Sequence, residues 1–163
     1  MYNFKQEQYI NKSLSKLFPF FERPENLSKL TPSWLSFKIK TPLPIQMKEG
    51  ATIEYSIKLF GIPMNWKTEI IKYSPPFLFI DEQKKGPYKK WVHTHSFEEI
   101  NGKVLMKDKI DYDLYGGILK HLIHKFFVKP LINKIFEFRK ITIEKEFGFT
   151  DNNKRNNFNN LCF

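Results

Sequence analysis

The chain has a single cysteine, Cys162, among 163 residues. An internal disulfide is therefore excluded, and the composition fits a reducing compartment. No stretch of the sequence approaches 18 uninterrupted apolar residues, so no transmembrane helix is expected. The opening Met1-Tyr2-Asn3-Phe4-Lys5 lacks the apolar core of a secretory signal, which makes the cytoplasm the expected location. The ending Leu161-Cys162-Phe163 places its cysteine too late for prenylation. Also missing are a glycine-rich phosphate loop, a Gly-x-Ser-x-Gly nucleophile elbow and a Cys/His zinc pattern. No internal repeat is visible. These gaps argue against the common nucleotide-binding, serine-hydrolase and zinc-finger classes.

What is abundant is phenylalanine, with 17 residues, and positive charge, with 27 Lys and Arg against 17 Asp and Glu. So many aromatic residues exceed the need of a small core and suit the lining of a cavity. A net charge of +10 favours acidic partners in general. The basic residues are scattered, however, with no run beyond Lys84-Lys85 and Lys89-Lys90. They read as a solvated surface, and no specific nucleic-acid binding is expected.

The length suits one domain, expected over residues 1–148, followed by an asparagine-rich tail over 149–163 that is expected to be disordered. Alternation predicts a first strand from Tyr2 to Ile10. A short helix follows, capped by Asn11 or Ser13 and running to Phe21 across Pro19, and then a second turn from Pro24 to Leu30. Trp34 to Thr41 reads as a second strand. Thr52 to Phe60 and the segment after Gly61-Ile62 read as a hairpin that pairs Leu59 with Met64, Ile57 with Trp66, Tyr55 with Thr68 and Ile53 with Ile70. Phe77 to Gln83 is a further strand. From Ile118 to Glu146 the period turns helical, with Leu119, Leu122, Ile123, Phe126, Phe127, Leu131, Ile135 and Phe138 as the apolar stripe. Lys120, Lys125, Lys129, Lys134 and Arg139 flank that stripe as a solvated rim. Pro130 is expected to kink the helix near its middle. The fold class that follows is α+β: a curved seven-stranded antiparallel sheet whose inner face is covered by the long C-terminal helix.

One hairpin carries most of the functional information. Asn101-Gly102 is a two-residue turn signal, because both positions must accept positive φ. It sets Phe97 opposite Met106, His95 opposite Asp108, His93 opposite Ile110 and Trp91 opposite Tyr112, all on one face. That face is apolar and aromatic except for two histidines and a carboxylate. Unpaired buried polar groups cost roughly 1–3 kcal/mol each, so a core seldom collects three. A pocket does so more readily. His93, His95 and Asp108 can anchor the polar head of a ligand. His95 and Asp108 can instead serve as an acid/base pair, the candidate catalytic residues of an enzyme. They can also be a satisfied structural network, with His95 bonded to Asp108 and His93 to Tyr112 or Tyr55. Three such ligands can hold zinc, but His-x-His on a strand is a loose pattern, and neither a metal nor another cofactor is expected.

Several runs extend this reading. They are Phe20-Phe21-Glu22-Arg23-Pro24-Glu25-Asn26-Leu27, Leu30-Thr31-Pro32-Ser33-Trp34-Leu35, Gly61-Ile62-Pro63 with Trp66-Lys67-Thr68-Glu69-Ile70, and Phe79-Ile80-Asp81-Glu82-Gln83. They continue with Gly86-Pro87-Tyr88, Trp91 to Phe97, Met106-Lys107-Asp108 and Phe136-Glu137-Phe138-Arg139. As a set, from about Tyr2 to Ile143, the chain resembles the START-like (SRPBCC, helix-grip) ligand-binding superfamily, which includes polyketide cyclases. Within it, the chain resembles a small bacterial-type branch. The resemblance implies two short helices after the first strand, and a cavity between the sheet and the C-terminal helix. The expected function is binding of a hydrophobic small molecule or lipid-like ligand with a polar head. Its site would comprise Tyr55, Ile57, Trp66, Thr68, Trp91, His93, His95, Phe97, Met106, Asp108, Ile110, Tyr112, Leu122 and Phe126. The alternatives are a cyclase, dehydratase or isomerase using the His-Asp pair, and a basic protein making weak contact with an anionic membrane or a partner.

Overall fold

The computed structural model describes residues 1–148; the asparagine-rich segment over 149–163 lies outside the described residues. Seven strands form: β1 (Tyr2–Ile10), β2 (Lys38–Ile39), β3 (Thr52–Leu59), β4 (Ile62–Ser74), β5 (Leu78–Lys85), β6 (Lys90–Ile100) and β7 (Lys103–Asp113). They make one antiparallel sheet in the order β1-β7-β6-β5-β4-β3-β2. From β2 to β7 each strand simply turns back beside the one before it. The crossing from β1 at one edge to β2 at the other is made by helix α1 (Leu14–Phe21) and two single 3₁₀ turns, Pro24–Ser28 and Ser33–Leu35. Register shifts in the β4–β5 pair, between Lys67 and Thr68 and between Ile70 and Lys72, bend the sheet.

The Asn101-Gly102 turn forms as its chemistry demands. Both residues have positive φ (52° and 73°), and the pairs Phe97–Met106, His95–Asp108, His93–Ile110 and Trp91–Tyr112 follow. The other hairpin differs from expectation. The turn residues are Phe60 and Gly61, at φ 51° and 80°, rather than Gly61 and Ile62. Leu59 therefore pairs with Ile62, Ile57 with Met64, Tyr55 with Trp66 and Ile53 with Thr68. The slip is two residues in pairing, so every side chain keeps its face. The expected strand from Trp34 to Thr41 is mostly absent. Pro32 opens a 3₁₀ turn there, Ser36 takes a left-handed conformation, and only Lys38–Ile39 pairs with β3.

The C-terminal helix is contiguous but falls into three segments: α2 (Lys120–Ile123), a π-helical turn (His124–Val128) and α3 (Lys129–Phe147). Pro130 stands at the second position of α3, where its missing N–H falls in the first turn. The expected mid-helix kink is thus resolved as a wide turn immediately before the proline. A π turn holds an extra residue, so it rotates the apolar stripe. The buried positions of α3 are Ile132, Phe136, Arg139, Ile143 and Glu144, one residue later than the expected Leu131, Ile135 and Phe138.

Two apolar clusters fill the fold. Under α1, Leu14, Leu17 and Phe18 pack with Phe97, Val104, Met106 and Ile143. Towards the other end, Ile110, Tyr112, Trp66 and Tyr88 pack with Ile132 and Phe136 of α3. No helix among the described residues is long and apolar enough to cross a membrane.

Candidate functional site

Between the two clusters lies a cavity of about 170 Å³. Ile53, Tyr55, Ile57 and Trp66 form its sheet wall, and Leu131, Ile135 and Phe136 its helix wall. Its polar end is made by Thr68, Asp81, His93, His95 and Arg139. A dry cavity of about 150 Å³ takes up a benzene ring, so the space suits a small ring system rather than a long chain.

The polar end is built by strand pairing. In β5 and β6 the Cα partners are Phe79 with His95 and Asp81 with His93. In β6 and β7 His95 faces Asp108. Two imidazoles therefore sit between two carboxylates, with their ring centroids 3.7 Å apart. His93 Nε2 hydrogen-bonds Asp108 Oδ1 at 2.9 Å. His95 Nδ1 lies 2.9 Å from the same oxygen, but off the line needed for a hydrogen bond. On the cavity side, His95 Nε2 hydrogen-bonds Asp81 Oδ2 at 3.2 Å, and His93 Nδ1 is 3.7 Å from that oxygen. The Thr68 hydroxyl donates to the other oxygen of Asp81 at 3.0 Å. Arg139 reaches across from α3, with one guanidinium nitrogen 3.9 Å from Asp108 Oδ1 and its carbon 5.1 Å from the Phe136 ring.

Burial and pairing set the charges. Burial lowers His93 to about 4, and the charge of His95 adds to this while Asp108 opposes it. Burial also works against a charged His95, but contacts to Asp108 and Asp81 outweigh it and raise that group. Burial alone would raise both carboxyls. The histidines overcome it and hold Asp81 below, and Asp108 well below, the ordinary range. Burial keeps the Tyr55 phenol neutral, its pKa raised well above the usual value, with Asp81 adding to the effect. One neutral and one readily protonated imidazole, each against a carboxylate, can relay a proton, accept a ligand's hydrogen bond or ligate a cation.

The expected site residues divide into three groups. Tyr55, Ile57, Trp66, Thr68, Trp91, His93 and His95 line the cavity. Phe97, Met106, Asp108, Ile110 and Tyr112 are buried beneath it, outside its lining. α1 covers Phe97, with Phe18 and Phe21 at ring distances of 5.6 and 5.2 Å. Leu122 and Phe126 are corrections: they are 56% and 61% exposed, on the stretch of helix before the π turn ends. Tyr112 does not pair with His93; its hydroxyl meets His124 Nε2 at 2.9 Å. The residues missed are Asp81 and Arg139. Asp81 shares the parity of buried Phe79, a signal present in the strand pattern. Arg139, expected in a solvated rim, is 8% exposed and continues the series Ile132, Phe136, Arg139, Ile143.

A seven-stranded antiparallel sheet closed around a long C-terminal helix, with α1 and two 3₁₀ turns between the first two strands, decides the architecture. The chain has the helix-grip fold. Solved helix-grip structures match it over most of its length. Protein CV1439 from Chromobacterium violaceum superposes with a TM-score of 0.70 at 8% identity, covering 92% of this chain and all (100%) of that one. Major latex-like protein 151 from Panax ginseng gives 0.66 at 14% identity, covering 90% of this chain and 97% of the ginseng chain. TTHA0849 from Thermus thermophilus gives 0.65 at 16% identity, with 88% and 95% covered. No protein-family model and no curated protein matches the sequence. The likeness is therefore one of helix-grip architecture.

Proposed function

We propose that the chain binds a hydrophobic small molecule of about one ring system, its polar head directed at His93, His95 and Arg139. The observation that carries this reading is the cavity itself, with apolar walls of Ile57, Trp66 and Leu131 and a buried polar end at His93 and His95. Apolar walls contribute affinity and a few convergent polar groups fix orientation. The Arg139 Nε is buried with no hydrogen-bond partner, which favours a head group that carries an acceptor. Native mass spectrometry of the purified protein, together with displacement of an environment-sensitive dye by a panel of aromatic and lipid-like acids, tests the reading. One-to-one binding that a Leu131→Trp substitution blocks is the expected result. A protein that carries nothing and binds no panel member refutes it.

A second reading concerns where the ligand is collected. Ile118, Leu119, Leu122, Phe126 and Phe127 are all exposed, and exposed Phe60 on the β3–β4 turn meets Phe127 at a ring distance of 6.1 Å. Lys120, Lys125 and Lys129 lie among them. Apolar residues bordered by lysines fit the surface of an anionic bilayer. Flotation with phosphatidylserine vesicles should show salt-sensitive binding that is lost on charge reversal of the three lysines. Equal binding to neutral vesicles argues against it.

A further inference from the structure

We infer that Asp81, His93 and His95 form a binding site for one divalent first-row transition ion, with the remaining coordination position open to the cavity. The site shares the cavity with the reading above but does not depend on it. The first support is distance. One donor atom from each of the three residues lies within 4.8 Å of the other two. Asp81 Oδ2 is 3.2 Å from His95 Nε2 and 3.7 Å from His93 Nδ1. Ligands of a tetrahedral ion with bonds near 2.0–2.1 Å stand about 3.3 Å apart. These two separations lie within about 0.4 Å of that spacing.

The second support is what stands behind the trio. A metal-bound imidazole needs its far nitrogen protonated and held by an acceptor. If His93 ligates through Nδ1, its far nitrogen is Nε2, which is 2.9 Å from Asp108 Oδ1. If His95 ligates through Nε2, its far nitrogen is Nδ1, which is 2.9 Å from Asp108 Oδ1 but reaches hydrogen-bond alignment only after the ring turns. One buried carboxylate thus stands behind both histidines, already bonded to His93 and within reach of His95. Thr68 holds the oxygen of Asp81 that the ion would leave free. The ligands come from two adjacent rigid strands rather than loops, which fixes their geometry.

The third support is charge. With both imidazoles neutral, as ligation requires, Asp81 and Asp108 face one guanidinium, that of Arg139, and it is directed at Asp108. The carboxylate of Asp81 is then left for the ion to balance. Two imidazoles and one carboxylate suit zinc or ferrous iron rather than calcium or magnesium, which prefer all-oxygen sites. From the sequence no metal is expected, because His-x-His on a strand is a loose pattern, and the third ligand considered with it is Asp108. Asp108 lies behind them, and Asp81 supplies the oxygen on the cavity side.

The test uses the full chain, stripped with a chelator and titrated with Zn(II) and with Co(II), with no organic ligand added. One equivalent should bind. Long-range nitrogen NMR should show shifts of the His93 and His95 rings while the rings of exposed His121 and half-buried His124 stay unchanged. Cobalt should give the visible absorption of a four- or five-coordinate ion. His95→Gln and Asp81→Asn should weaken binding beyond the roughly 10- to 100-fold expected for Asp108→Asn. A double His121→Ala, His124→Ala variant should bind like the parent. Absence of uptake, or shifts confined to His121 and His124, overturns the inference even if the variants fail to fold. Dye binding that persists in chelator then still tests the cavity reading separately.

Discussion

The final helix has two halves that invert the usual rule. In α3 a cation, Arg139, is inside and beside a carboxylate, two imidazoles and Phe136. In α2 and the π turn, Leu122, Phe126 and Phe127 are outside. Composition does not separate the halves, since both mix Lys with Ile, Leu and Phe. What separates them is what the sheet offers. Opposite α3 the strands present Asp108, His93 and the apolar floor. The half before the π turn runs past them and leaves its own apolar residues uncovered.

The largest expected effect comes from breaking the buried half. Asp108→Ala leaves two imidazoles and a guanidinium without their shared carboxylate. Loss of one partner from a buried ionic network costs about 3–5 kcal/mol. Chemical denaturation should show this as a large drop in midpoint, with the stretch before the π turn no more exposed than before. Phe136→Ala removes a ring packed at 4.6 Å from Phe4 and should cost about 3–5 kcal/mol as well, through the void it leaves. A cost below about 1 kcal/mol for either would mean that α3 grips less than its burial implies.

Acid attacks the same half more gently. His93 is held down to about 4 by burial, against 6.5 when unfolded. The unfolded chain thus takes up that proton first as pH falls, and stability declines from about pH 6.5 to pH 4. Asp81 and Asp108, held low, add a second decline below about pH 4. His95, raised, acts in the opposite sense: it contributes stability below pH 6.5 that is lost as pH rises through its folded value. Denaturant midpoints of the chelator-treated protein at pH 6.5, 5 and 4 should fall in that order. A flat series would show that the histidine pair is not desolvated.

The smallest effect belongs to the uncovered half. Phe126→Ser should change stability by less than about 0.5 kcal/mol. Set against Phe136→Ala, ten residues further along the same rod, it measures the asymmetry directly. A loss comparable to that of Phe136→Ala would place Phe126 in a packed environment after all.

How far the sequence carries the reader varies with the kind of turn. The β6–β7 hairpin was legible because Asn101-Gly102 leaves one register, and register fixes faces; His93, His95 and Asp108 follow from that alone. Phe60-Gly61 was missed because a bulky residue at positive φ is not what turn chemistry predicts. Asp81 was missed because the link over residues 86–89 is not a two-residue turn, so the β5–β6 register could not be counted across it. Its parity with Phe79 was the available clue. Arg139 was lost to the π turn: a straight α-helical count from Leu119 lands on Phe138, and the extra residue moves the buried stripe on by one.

That wide turn has an engineering corollary. It sets the rotational phase between the two ends of one rod. Deleting a single residue within His124–Val128 would turn everything before it by about 100° relative to everything after. The greasy flank would change direction with no change in its amino acids, so at this point chain length, rather than composition, decides which way the molecule is sticky.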